Sequence, residues 1–167
     1  VKVNTLTGEE KVLKYTGQVN TGLSYADGRL WWTEFRASTF WEQKVGSVPV
    51  WMEIDAKGKT RSGVVNGSKR TMFATAMPGG DHADVSYDPG GSYSIRYGAW
   101  RSDLPDNVSV HGLAYDGKSD SFYFIGLDDD GMWIGSVKKN GTGSFDVVVP
   151  ATYSTLSNLR AVDGRIY

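Results

Sequence analysis

The sequence predicts an all-β chain, and three observations carry that expectation. Twenty-one glycines, six tryptophans and nine tyrosines among 167 residues suit many short strands joined by tight turns. No helix-length stretch places apolar side chains at i, i+3, i+4 and i+7 without a Gly or Pro interrupting it. A third signal is a recurring unit: an apolar run, a Gly turn with Asp, then a second apolar run.

The repeat sets the order of the elements. Leu23 to Trp32 and Leu159 to Tyr167 each hold an apolar run, Asp-Gly, a basic residue and another apolar run. Gly112 to Lys118, followed by Phe122 to Ile125, is a third copy, and Met77 to Asp81 with its glycine pair is a looser fourth. The turn glycines at 28, 80, 117 and 164 have a mean spacing of about 45, inside the range of propeller blades. Val50 to Thr60 and Met132 to Thr142 repeat the second half of the unit, a strand, a polar Gly turn and a strand, and Val1 to Leu13 has the same shape. Asp-Gly and Asn-Gly turns supply the positive φ that two-residue hairpins require.

The expected architecture is therefore a partial β-propeller of about three four-stranded antiparallel blades plus terminal half-blades. Residues 1–16 supply the outer strands of a preceding blade, 17–66, 67–107 and 108–150 one blade each, and 151–167 the start of another. A single blade leaves both faces partly exposed, so stacking on its neighbours is what buries the Trp, Tyr and Val side chains. Because full propellers have ~4–8 blades, such a chain is part of a larger one or pairs its half-blades. An open arc also exposes edges that recruit strands, so self-association of the chain is expected. The sequence starts at Val1 and stops within an apolar run at Tyr167, which fits a piece of a multidomain protein.

Composition narrows the function. Forty per cent apolar and 22% charged residues is globular composition rather than disorder. A net charge of −1, with basic residues paired only in turns such as Lys69-Arg70 and Lys138-Lys139, argues against nucleic acid or an anionic membrane surface as partner. No apolar run reaches the ~20 residues of a membrane helix. With no cysteine, disulfides, thiolate zinc and a cysteine nucleophile are excluded.

Two stretches, Leu23 to Glu42 with Asp27-Gly28-Arg29-Leu30-Trp31-Trp32, and Val110 to Ile125 with Tyr115-Asp116-Gly117-Lys118, resemble the TolB-like propeller family. That family's blades also resemble the N-terminal propeller of dipeptidyl and oligopeptidases. The usual Ser-Pro-Asp-Gly turn is replaced here by Tyr-Asp-Gly, Ala-Asp-Gly and Met-Pro-Gly-Gly. The resemblance implies a periplasmic, cell-surface or secreted protein whose propeller docks a protein partner or a neighbouring domain of the same parent chain. Fold alone transfers none of these roles.

Candidate chemistry is sparse. Asp128-Asp129-Asp130-Gly131 could present carboxylates to calcium, the only cofactor the sequence suggests. Consecutive residues point to different sides, however, and a charged hairpin tip is the simpler expectation. His82 and His111 lack zinc-ligand spacing, although Asp81, Asp84 and Asp106 stand nearby in sequence; a histidine packed at a strand start is the expectation for His111. There is no Gly-x-Ser-x-Gly elbow for a hydrolytic serine. Glu34 among Trp31, Trp32 and Phe35 raises glycosidase chemistry, but neither Glu42 nor Glu53 completes a carboxylate motif. The loop carrying Arg36, Trp41 and Gln43 is the candidate ligand-binding site for a sugar or a peptide; folding over the blade edge is its simpler use.

The functional expectation is a non-catalytic propeller module for interaction or scaffolding in an exported multidomain protein. The alternatives are an accessory propeller of a peptidase whose catalytic domain lies outside this chain, and a propeller that binds or cleaves carbohydrate.

Overall fold

The computed structural model describes residues 2–3, 6–11, 20–27, 29–36, 48–55, 57, 59–64, 71–79, 81–87, 90–139, 141, 145–152, 156 and 158–167. Every regular element among them is a strand. In chain order, a two-stranded sheet of β1 (Lys2–Val3) and β2 (Glu10–Lys11) precedes three four-stranded sheets. The first of these holds β3 (Asn20–Ala26), β4 (Arg29–Arg36), β5 (Val48–Asp55) and β6 (Thr60–Val64). The second holds β7 (Thr71–Met77), β8 (Asp81–Tyr87), β9 (Tyr93–Tyr97) and β10 (Trp100–Asp103). The third holds β11 (Ser109–Asp116), β12 (Ser121–Asp128), β13 (Gly131–Lys138) and β14 (Asp146–Thr152). A final pair, β15 (Ala161–Val162) and β16 (Arg165–Ile166), forms its own sheet.

All pairings are antiparallel and follow chain order. The β1–β2 and β15–β16 pairs remain separate sheets and do not join each other. The first strand of each four-stranded sheet stands at its edge, and these first strands meet. β3 lies against β7, β7 against β11 and β11 against β15, while β3 also reaches β11.

Turn chemistry fixes the hairpins. Asp163 and Gly164, with φ of 53° and 78°, make the two-residue turn between β15 and β16, the double positive φ that matches strand twist. Asp27 has φ 50° at the β3–β4 turn. The Asp116-Gly117 copy departs from expectation. Asp116 pairs with Ser121 across a four-residue loop, and the positive φ falls on Asp120, at 50°, rather than on Gly117. The cause is the Asp116 carboxylate, whose Oδ2 accepts the Ser119 N–H at 2.9 Å and opens the turn. Asp55 acts comparably at the β5–β6 turn, its Oδ1 accepting from Lys57 N and Lys59 N at 2.9 Å each.

The described core lies between the second and third four-stranded sheets. Alternation puts Ala83, Val85 and Ile95 on one face of the former, and Leu113, Tyr115, Phe122, Phe124 and Val137 on one face of the latter. Apart from the half-buried Tyr115, these residues are buried in one continuous cluster with Met77, Leu104, Val108, Val110 and Trp133. Each large side chain so buried contributes about 1.5–3 kcal/mol. Trp100 bolts the two sheets together. Its ring stacks on Phe122 at 5.5 Å, and its Nε1 donates to the Gly141 carbonyl at 2.8 Å. The opposite face of the second sheet is polar where it is buried, and there the Ser86 hydroxyl donates to Asp84 Oδ2 at 2.7 Å.

Within the third sheet, Trp133 lies across glycine. A Cβ on Gly126 would sit 2.6 Å from the indole, and one on Gly135 would sit 2.5 Å from the Phe124 ring. Neither glycine has positive φ, so both are there for space. The indole stacks on Phe145 at 5.4 Å, and its Nε1 donates to Asp128 Oδ2 at 2.8 Å.

Candidate functional site

Where the first strands meet, a cavity of about 530 Å³ opens. Its floor is small and apolar. Ala74 and Ala76 come from β7, and Leu113 and Ala114 from β11; Ala76, Leu113 and Ala114 are buried. Leu159 and Ala161 close the far side. Its rim is charged and exposed: Asp27 at the β3–β4 turn, Lys118 in the β11–β12 loop, and Arg160 and Asp163 flanking β15.

Hydrogen bonds between units hold the lining in place. Ser24 Oγ accepts the Ala76 N–H at 2.9 Å, which satisfies an edge amide that strand pairing leaves open. Asp27 Oδ2 accepts the Gly79 N–H at 2.6 Å. Two sheets on, Asp116 accepts the Gly164 N–H in the same sense. Lys118 Nζ donates to the Asp163 carbonyl at 3.3 Å.

Asp116 is only 2% exposed. Burial alone would raise its carboxyl pKa. Hydrogen bonds from the Ser119 hydroxyl and from the N–H groups of Gly164, Ser119 and Lys118 outweigh that, and hold it below the ordinary 3.8. Beside it, burial, the Asp120 hydrogen bond and the Asp120 charge push the Tyr115 phenol above its ordinary 10.0. The Tyr115 hydroxyl donates to Asp120 Oδ1 at 2.7 Å. Lys139 Nζ stands 3.9 Å from the same oxygen and 4.8 Å over the Tyr97 ring.

The residues singled out in the sequence fall elsewhere. Trp41 and Gln43 lie outside the described residues, as do Phe40 and Glu42. Arg36 ends β4, paired with Val48. Asp128, Asp129 and Asp130 form the tip of the β12–β13 hairpin, with Gly131 at φ 124°. Asp128 Oδ1 accepts the Asp130 N–H at 3.0 Å while Oδ2 holds Trp133, so both carboxylate oxygens have donors. Among the described residues no group of three or more His, Asp or Glu side chains converges as a metal would need. His111 sits exposed at the bulge between Val110 and Gly112 rather than packed, because the extra bulge residue leaves the ladder. His82 is half-buried in β8, and neither histidine lines the cavity.

The residues that do line it, Asp27, Lys118, Arg160 and Asp163, belong to the repeat and were visible only as turn residues. The signal for them was their shared place: turns recurring about one blade apart meet when first strands converge. No helix among the described residues is long and apolar enough to cross a membrane. Neither a family model nor a curated protein matches the chain.

Proposed function

We propose that the four-stranded sheets are blades of a TolB-like β-propeller and that the chain is a non-catalytic interaction module of an exported multidomain protein. It binds a protein partner or a neighbouring domain at the cavity where the first strands converge. The observation that carries this reading is that β3 reaches β11 as well as β7. First strands of alternate sheets touch when the sheets are set around a common axis, and they stay apart when sheets stack in a row. The cavity volume of about 530 Å³ lies in the range of ligand-binding clefts. Its buried aspartate is engaged by N–H groups, which leaves it a structural acceptor rather than a proton-transfer group.

The test is a calorimetric titration with a panel of peptides and glycans, paired with product analysis and amide chemical-shift mapping. Saturable peptide binding that moves the Ala76, Leu113 and Ala114 amides, with no product, is the expected result. Cleavage of a peptide or glycoside would end the non-catalytic reading. An experimental structure with β3, β7 and β11 not grouped about one axis would end the propeller reading.

A further inference from the structure

We infer that the cavity captures an apolar peptide by its terminal carboxylate, with the Arg160 guanidinium as the anchor. This rests on the proposal that the cavity is the binding site, and it adds the ligand's chemical class.

Charge bookkeeping around the cavity points to it. Asp27 and Asp116 carry negative charge, but each already accepts N–H donors. The Lys118 ammonium is held at the Asp163 carbonyl, where it offsets the charge of that residue. Arg160 differs from all of these. Its main chain is committed, exchanging N–H to carbonyl bonds with Tyr167 at 3.0 and 2.9 Å. Its guanidinium has no hydrogen bond or ion pair among the described residues, although it stands at the rim of the cavity.

A guanidinium on a rigidly held backbone beside an apolar floor is matched by a carboxylate attached to an apolar body. The planar fork takes both carboxylate oxygens in parallel hydrogen bonds. The floor of Ala74, Ala76, Leu113 and Ala114 gains from side chains of alanine or leucine size, since burying apolar surface is favourable and no polar group there demands a partner. The open edges of the first strands offer backbone donors and acceptors to an extended chain. A terminal carboxylate therefore satisfies what the lining leaves unmatched, and a blocked terminus does not.

The probe is an N-acetylated tripeptide of alanine, alanine and leucine, used as the free acid and as the carboxamide. Binding is measured by calorimetry on the full chain. The free acid is expected to bind about tenfold tighter than the amide, the effect of one charge-assisted pair. Arg160→Gln should reduce that preference to less than about twofold with circular dichroism unchanged, and Arg160→Lys should retain part of it, since the charge survives while the fork is lost. Equal affinity of acid and amide would overturn the anchor and leave the cavity standing as a binding site. Binding of neither form would also overturn the inference, and the wider peptide and glycan panel then decides the site separately. A preference unchanged in Arg160→Gln would move the anchor to another residue.

Discussion

Asp27 and Gly79, 52 positions apart, are joined by a 2.6 Å hydrogen bond from the glycine N–H to the aspartate Oδ2. Asp116 and Gly164 repeat the relationship. In both, the carboxylate at the first hairpin of one sheet takes an amide from the first hairpin of a later one. The two latches differ in depth, for Asp27 is exposed and Asp116 is buried.

That difference sets the first prediction. Asp116→Ala removes an acceptor shared by several N–H groups, and buried donors left unpaired make this cost about 3 kcal/mol. Asp27→Ala exposes its partner to water and should cost clearly less. Urea unfolding of both variants measures the gap. Equal losses would mean that burial of Asp116 plays no part.

Acid should reveal the same group. The folded Asp116 carboxyl titrates below its unfolded 3.8. Its stabilisation is therefore complete above the unfolded value and is lost as pH falls through the lower folded value. Unfolding midpoints taken as pH is lowered should drop more steeply for the parent chain than for Asp116→Asn. Parallel curves would show that the carboxylate charge is not favoured by folding.

Alkali acts on Tyr115 with the opposite sign. Its folded pKa is raised above 10.0, so its contribution holds below that value and is lost as pH rises through the folded one. Tyr115→Phe should flatten the alkaline loss of stability, and tyrosinate absorbance should show one phenol that ionises late. A Tyr115→Phe curve with unchanged alkaline slope would contradict this.

Gly126→Ala and Gly135→Ala should each lower the melting temperature, because the added methyl meets the Trp133 or Phe124 ring at 2.6 or 2.5 Å. Overpacking of this kind costs about 1–3 kcal/mol. Near-ultraviolet circular dichroism should change as the indole moves. Unaltered melting in both variants would show that the ring is free to shift.

Calcium should leave the melting temperature unchanged. Both Asp128 oxygens already accept N–H donors, which leaves only the exposed Asp129 and Asp130 at the tip, too few ligands for a hard cation. Asp128→Ala should destabilise the hairpin by about 1–2 kcal/mol through loss of the indole bond. A calcium-dependent rise abolished in Asp129→Asn would restore the metal reading.

Much of the local structure was legible in the residues. The Gly-rich turns and aromatic strands announced an all-β chain of four-stranded antiparallel sheets, and Asp163-Gly164 announced a two-residue turn. The Asp116-Gly117 copy looked the same and behaved differently, because a side-chain acceptor competed with the turn glycine. His111 looked packed and is exposed, because a bulge is a register event that composition does not mark. The cavity was not legible at all. Its residues sit in separate turns, and Arg160 stands out only once β15 is placed against β11.

Local chemistry in the chain dictates strands, turns and which side chains share a face, since these depend on neighbours a few positions away. It does not say what covers a face. The depth of Asp116, the indole over Gly126 and Gly135, and the open guanidinium of Arg160 are settled by how whole sheets stand against one another. Those contacts depend on distances between sheets, and alternation along a strand carries no information about distance.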